Sequence, residues 1–227
     1  MAIQESPVRL PEQFVFGFEQ GALVFDSTIH DDLRRTRLCR PTYTNRMVGR
    51  TGGSAYPRPM AEKLRVQERR QVLEFTFADM LRYAGPYSPA GVANAFKVMQ
   101  YAFDLLSPTE PPQRRCVVVR TAFQGPGARD GFELVTRAVT DGRYTVDLDL
   151  TRPECGRLRQ SFVFAVHLGD RSATLLLRDG FVTEEFIDLA GKPDRDVAEE
   201  TRLDELKADL AGRLLAVPAD CVYEVVA

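Results

Sequence analysis

Two kinds of hydrophobic pattern alternate along the chain, one with helical spacing and one with the two-residue period of strands. From about Ala61 to Tyr83, Leu64, Leu73, Phe77, Met80 and Leu81 approximate one apolar side, and Arg65, Glu68, Arg69 and Arg70 a charged one. This predicts a helix that Gly85-Pro86 stops. A second helix is predicted from Pro89 or Ala90 to Leu106, where Ala93, Phe96, Lys97, Met99, Gln100, Phe103 and Leu106 recur at intervals of three and four. Ser88 before Pro89 supplies an N-cap and first turn, and Ser107-Pro108 with Pro111-Pro112 ends it. Cys116 to Arg120 reads as a buried strand, and Asp130 to Val139 as a helix beginning beside the glycine-rich loop Gly125-Pro-Gly127. Arg143 to Leu150, Ser161 to His167 and Ser172 to Arg178 alternate as half-buried strands do, the last two flanking Gly169-Asp170 as a hairpin. Glu199 to Leu215 has the period of an amphipathic helix.

The first sixty residues carry short apolar runs, Phe14 to Phe18 and Ala22 to Phe25, broken by Gly, Pro and Arg, and read as strands and loops. The expected fold is α+β: an antiparallel sheet built mainly from residues 115–180 and packed with helices, preceded by an N-terminal arm of short strands and loops. The expected division is an arm over 1–65 and an α+β domain over 66–227.

Composition narrows the function classes. Apolar residues at 44% and charged residues at 27% of 227 are globular values. Thirty Lys plus Arg against thirty-two Asp plus Glu leave a net charge of −2, so the whole chain offers no electrostatic attraction to nucleic acid or an acidic membrane. Charge is segregated, however: residues 31–70 hold eleven basic and four acidic residues, whereas 184–210 hold ten acidic and four basic. Within the basic stretch, Arg50 to Pro59 is a loop by composition and lacks the spacing of a phosphate-binding P-loop. No run approaches the ~18 apolar residues of a membrane helix, and Met1 to Pro7 lacks the charged and apolar regions of a signal peptide, so a cytoplasmic protein is expected.

Cys39, Cys116, Cys155 and Cys221 are too sparse for a disulfide framework, which makes reduced thiols the expectation. There is no Cys-x-x-Cys pair, and His30 and His167 lie far apart, which excludes a zinc finger or ribbon of ordinary spacing. His30 sits among turn-forming Asp, Ser and Thr residues and reads as part of a capped loop, His167 as a hairpin residue, and Cys116 as a small buried hydrophobe.

The segment Tyr83-Ala-Gly-Pro-Tyr-Ser-Pro-Ala-Gly91, opening a helix, resembles the hallmark of the formylmethanofuran dehydrogenase FmdE-like family, which has His-Gly-His-x-Cys-Pro-Gly there. Gly85 and Pro89 keep the backbone punctuation, while Ala84, Pro86 and Ser88 stand where the family has its two histidines and cysteine. Asp130-Gly131, Thr136-Arg137 and Thr140-Asp-Gly-Arg143 are similar in order and spacing to later family motifs. Phe162 to Arg178 looks like its paired strands, and Leu214 to Pro218 with Tyr223 to Val226 like its closing segment. The resemblance spans about residues 70 to 226 and leaves the N-terminal arm without a counterpart.

The resemblance implies a homodimer and a small-molecule site, but Ala84 and Pro86 offer no metal donor and Ser88 a poor one, so no metal is predicted at the family position. The expected ligand is a small anionic or carbonyl-bearing metabolite or cofactor of unknown identity, held at the helix N-terminus by Gly85, Tyr87, Ser88, Thr136 and Arg143. Asp130 and Tyr83 are the candidate acid/base groups, although Asp130 reads equally well as a helix N-cap. Two other readings stay open. One is a non-catalytic scaffold that contacts a partner protein through the basic arm and acidic helix, and the other a metalloprotein with relocated ligands such as His30, Cys39 and His167.

Overall fold

The computed structural model describes residues 62–226. Residues 1–61, with His30, Cys39 and most of the basic arm, lie outside them. The described chain opens with a hairpin: β1 (Lys63–Glu68) pairs antiparallel with β2 (Gln71–Thr76) across Arg69-Arg70. A helix α1 (Phe77–Ala84) follows directly. The helix anticipated from Ala61 to Tyr83 is therefore corrected to a strand, a strand and a short helix. The reason is the two-residue period of burial in β1, where Leu64 and Val66 are buried and the residues between and before them exposed. Thr76 then stops the strand and starts the helix, its hydroxyl accepting from Asp79 N at 3.2 Å while Asp79 Oδ2 accepts from Thr76 N at 3.0 Å. β1 also runs across the anticipated arm boundary at 65/66.

Helix α2 (Pro89–Leu106) has the predicted ends and is buried along most of its length. It packs on α3 (Pro126–Thr136) and α5 (Val197–Leu215). Even Lys97 of α2 is fully buried, its ammonium 2.8 Å from Glu62, which also accepts from Gln100 at 3.1 Å. Glu62, directly before β1, is thereby pinned to the helix. Beyond α2, a 3-10 turn at Arg114–Cys116 leads into β3 (Val117–Thr121). Cys116 falls in this turn and is exposed, which corrects its reading as a buried hydrophobe, because the apolar run begins only at Val117. Helix α3 starts four residues before Asp130 because Pro126 takes its first position after Gly125, so Asp130 is not an N-cap.

The main sheet has five strands in the order β4-β3-β5-β6-β7. These are β4 (Tyr144–Val146), β5 (Val163–Leu168), β6 (Arg171–Leu177) and β7 (Tyr223–Val226) around β3. The β5–β6 hairpin turns at Gly169-Asp170 as expected, and His167 pairs with Ser172 within it. The sheet is mixed, since β4 runs parallel to β3. The expectation of a wholly antiparallel sheet fails there because α3 lies between the two strands and returns the chain in the same direction. The chain closes with α4 (Glu184–Gly191), α5, α6 (Ala219–Val222) and β7. The core lies between the sheet and the helices, with Phe96, Met99, Phe132, Phe164, Leu175, Leu210 and Leu214 all buried. The architecture is α+β, and no helix among the described residues is long and apolar enough to cross a membrane.

Reduced thiols are found at Cys116 and Cys155. In the acidic segment, the carboxylates find cations close by: Glu185 pairs with Arg202, Glu199 with Lys192, Glu200 with Arg195, and Glu184 and Asp188 with Arg157.

Candidate functional site

The starts of α2 and α3 abut. A Cβ on Gly91 would lie 2.8 Å from Ala128 N, and one on Gly127 would lie 2.5 Å from Ser88 O, closer than side chains can approach backbone. Only glycine at both positions lets the two first turns touch. Each helix has proline at its first position, and its first backbone bonds are Val92 N to Ser88 O at 3.1 Å and Ala128 N to Gly125 O at 3.2 Å. The amides of Ala90, Gly91 and Gly127 precede those bonds and have no acceptor within their helices. Two helix dipoles thus bring their positive ends to one place.

The groups around this junction are polar and partly exposed. Ser88 is at the N-cap position of α2 but makes no side-chain cap bond, which leaves its hydroxyl free of the helix. Gly85 has φ of 84°, a conformation that turns the chain from α1 toward Pro86 and disfavours any side chain there. Tyr83 and Tyr87 on either side of it are 50% and 72% exposed. Asp130 stands three residues beyond Gly127, on the same side of α3, 3.6 Å from the guanidinium of Arg129. Tyr144 on β4 stacks at 5.9 Å against Phe132 and feels both Arg129 and Asp130. Burial raises its phenol to about 12; the Arg129 charge opposes that shift and the Asp130 charge adds to it. It stays a proton donor at neutral pH. Sequence reasoning misses Tyr144, for which its place after Thr140-Asp-Gly-Arg143 is the available signal.

Thr136 and Arg143 are brought together, but at the other end of α3. Thr136 is fully buried, donates to Phe132 O at 2.7 Å and accepts from Ala138 N at 3.2 Å. Arg143 donates to Thr136 O at 3.0 Å, to Asp141 at 3.0 Å and to Val117 O. These bonds close the C-terminal end of α3 onto β3. The eleven-residue helix spans about 15 Å at ~1.5 Å per residue, so neither reaches the Gly91–Gly127 junction.

A transition metal does not fit the junction, because Ala84 and Pro86 carry no donor atom and Ser88 offers one hydroxyl. Of the alternative ligands His30, Cys39 and His167, the first two lie outside the described residues and the third is on β5. Among the described residues, no three His, Cys, Asp or Glu side chains converge to hold a metal ion. No protein-family model matches the chain, and no curated protein matches it.

Proposed function

We propose that this protein is a metal-free relative of the formylmethanofuran dehydrogenase FmdE-like family that binds a small anionic or carbonyl-bearing metabolite at the junction of α2 and α3. The observation that carries this reading is the glycine-to-glycine contact that sets the first turns of α2 and α3, with the amides of Ala90, Gly91 and Gly127, side by side. Such amides stabilise negative charge or a polarised carbonyl without any metal. Ser88, Tyr83 and Tyr87 add hydroxyls around them. In this reading Asp130, beside Arg129, serves as the base and the Tyr144 phenol as the acid in proton transfer to a bound carbonyl compound.

The acidic helices favour the scaffold alternative less, because their carboxylates are paired with nearby cations.

The test is amide NMR during titration with formate, acetate and inorganic phosphate. Saturable shifts centred on Ala90, Gly91 and Gly127, abolished in a folded Ser88→Trp variant, are the expected result. Shifts scattered over other residues, or unchanged by Ser88→Trp, would overturn it. Metal analysis of untagged protein purified without chelator is expected to give less than about a tenth of an equivalent of any transition metal.

A further inference from the structure

At the far end of α3 from that junction, the β1–β2 turn and the 3-10 turn at Arg114–Cys116 enclose a cleft of about 840 Å³. Its walls are tied together. Gln67 N donates to Pro112 O at 2.8 Å, and the Glu68 carboxylate spans Arg114 at 2.6 Å and Arg115 at 3.0 Å. The cleft is therefore formed before anything enters it.

Its charge is one-sided. Arg69, Arg70, Arg114 and Arg115 line it against a single lining carboxylate, Glu68. Arg114 is committed to the structure, since it donates to Val135 O at 2.9 Å and to Leu134 O at 2.6 Å, closing the end of α3. Arg115 is shared between Glu68 and Asp141. Arg69 and Arg70 have no carboxylate partner among the described residues.

The turn holds these two arginines at the mouth against local preference. Arg69 is the first central residue of a two-residue hairpin turn and has φ of 56°, a place where glycine is the unstrained choice. The side chain of Gln67 donates to Arg69 O at 2.9 Å and fixes the conformation. Gln71 and Gln113 add amide groups to the lining, and Leu73 an apolar patch.

We propose that this cleft binds a phosphorylated small molecule, with Arg69 and Arg70 gripping the phosphate and Arg115 completing the anion site. Guanidinium forks match phosphate oxygens in pairs, and the two guanidinium charges of Arg69 and Arg70, left over once Glu68 and Asp141 are set against Arg114 and Arg115, call for an anion carrying more than one charge. The glutamine amides and Leu73 face the remainder of the ligand. This site shares no residue with the α2–α3 junction, so either proposal can fail without the other.

The experiment is calorimetric titration of the full chain with inorganic pyrophosphate at about 50 mM salt, where surface charges are incompletely screened. Saturable binding of one pyrophosphate per chain is expected, weakened by about tenfold or more in Arg69→Gly/Arg70→Ser. Glycine suits the positive φ of residue 69, so that variant keeps its fold, as an unchanged or raised Tm will verify. In a Cys155→Ser background, pyrophosphate is also expected to slow maleimide labelling of Cys116, read by peptide mapping, and to lose that protection in the arginine variant. Absent or non-saturable binding, equal affinity in the variant, or no protection of Cys116 would overturn the proposal. So would tighter, arginine-dependent binding of single-stranded RNA at equal phosphate concentration, which would make the cleft part of a nucleic-acid surface.

Discussion

Tyr223, the first residue of β7, donates its phenolic hydroxyl to Asn94 Oδ1 in α2 at 2.5 Å, and both side chains are fully buried. Asn94 in turn donates to Ala90 O at 2.8 Å, and the Tyr223 ring stands edge-on to Phe164 at 5.9 Å. One side chain so joins the end of the sheet to the helix that opens the candidate site. Burial raises the phenol well above its ordinary value, which keeps the donor proton in place. Tyr223→Phe is expected to cost about 1 to 3 kcal/mol, because Asn94 Oδ1 would stay buried without its donor. The urea midpoint should fall with an unchanged slope. Combining it with Asn94→Leu, which removes the stranded acceptor, should recover part of the loss.

The Gly91–Gly127 contact predicts a difference between glycines that look equivalent in sequence. Gly127→Ala would push a methyl group into Ser88 O and should destabilise by about 1 to 3 kcal/mol, as overpacking does. Gly212→Ala, inside α5, meets nothing within 4 Å at ordinary helical φ and should instead be neutral or stabilising by up to about 1 kcal/mol. Thermal melts of the two variants should separate them, with Gly127→Ala the lower.

Glu133 predicts a pH dependence. Burial alone would raise its carboxyl, but Thr140 Oγ1 and the Thr140 and Val139 amides donate to it, and Arg137 adds a positive charge. Together these hold it below its ordinary value of 4.5. A carboxylate depressed on folding contributes stability that is fully present above the unfolded value and is lost as pH falls through the folded one. Denaturation of wild type should therefore show stability declining below about pH 4.5. Glu133→Gln should be less stable at neutral pH and decline less steeply across that range.

Arg114 closes α3 with a fork that lysine cannot reproduce. Its Nε and Nη2 reach two successive carbonyls, Nη1 reaches Glu68, and the guanidinium lies 5.4 Å over the Phe75 ring. Arg114→Lys should cost about 2 to 3 kcal/mol in urea unfolding, since at least one buried carbonyl loses a charge-assisted bond.

Parts of this structure are legible in sequence because their boundaries have chemistry of their own. Ser88-Pro89 and Ser107-Pro108 bracket α2, and Gly169-Asp170 marks the β5–β6 turn. The β1–β2 hairpin is hidden because its turn is Arg69-Arg70, with neither glycine nor asparagine to announce it. Leu73, Phe77, Met80 and Leu81 continue at helix-like spacing on either side of the Thr76 cap, which obscures the switch. The start of α3 is concealed inside Gly125-Pro-Gly127, where glycines that read as loop serve close helix packing. At the candidate site, the Tyr83–Gly91 loop can be seen but the pairing of Gly91 with Gly127 cannot, since it depends on two helices meeting in space. Order along the chain draws Thr136 and Arg143 to the wrong end of α3, because it says nothing about which end of a helix a residue serves.

The brevity of the outer strands bears on how copies of this protein can associate. β4 is three residues long and β7 four, so the rims of the five-stranded sheet, unpaired among the described residues, present few open backbone groups in a row. On β7, Glu224 adds a charge held by Arg159 and Arg178. Rims of this kind are poor templates for a further strand, and concentrated samples should resist fibrillar stacking of sheets. A partner that recognised this domain would do better to meet its helices and its arginine-lined turn than to extend its sheet.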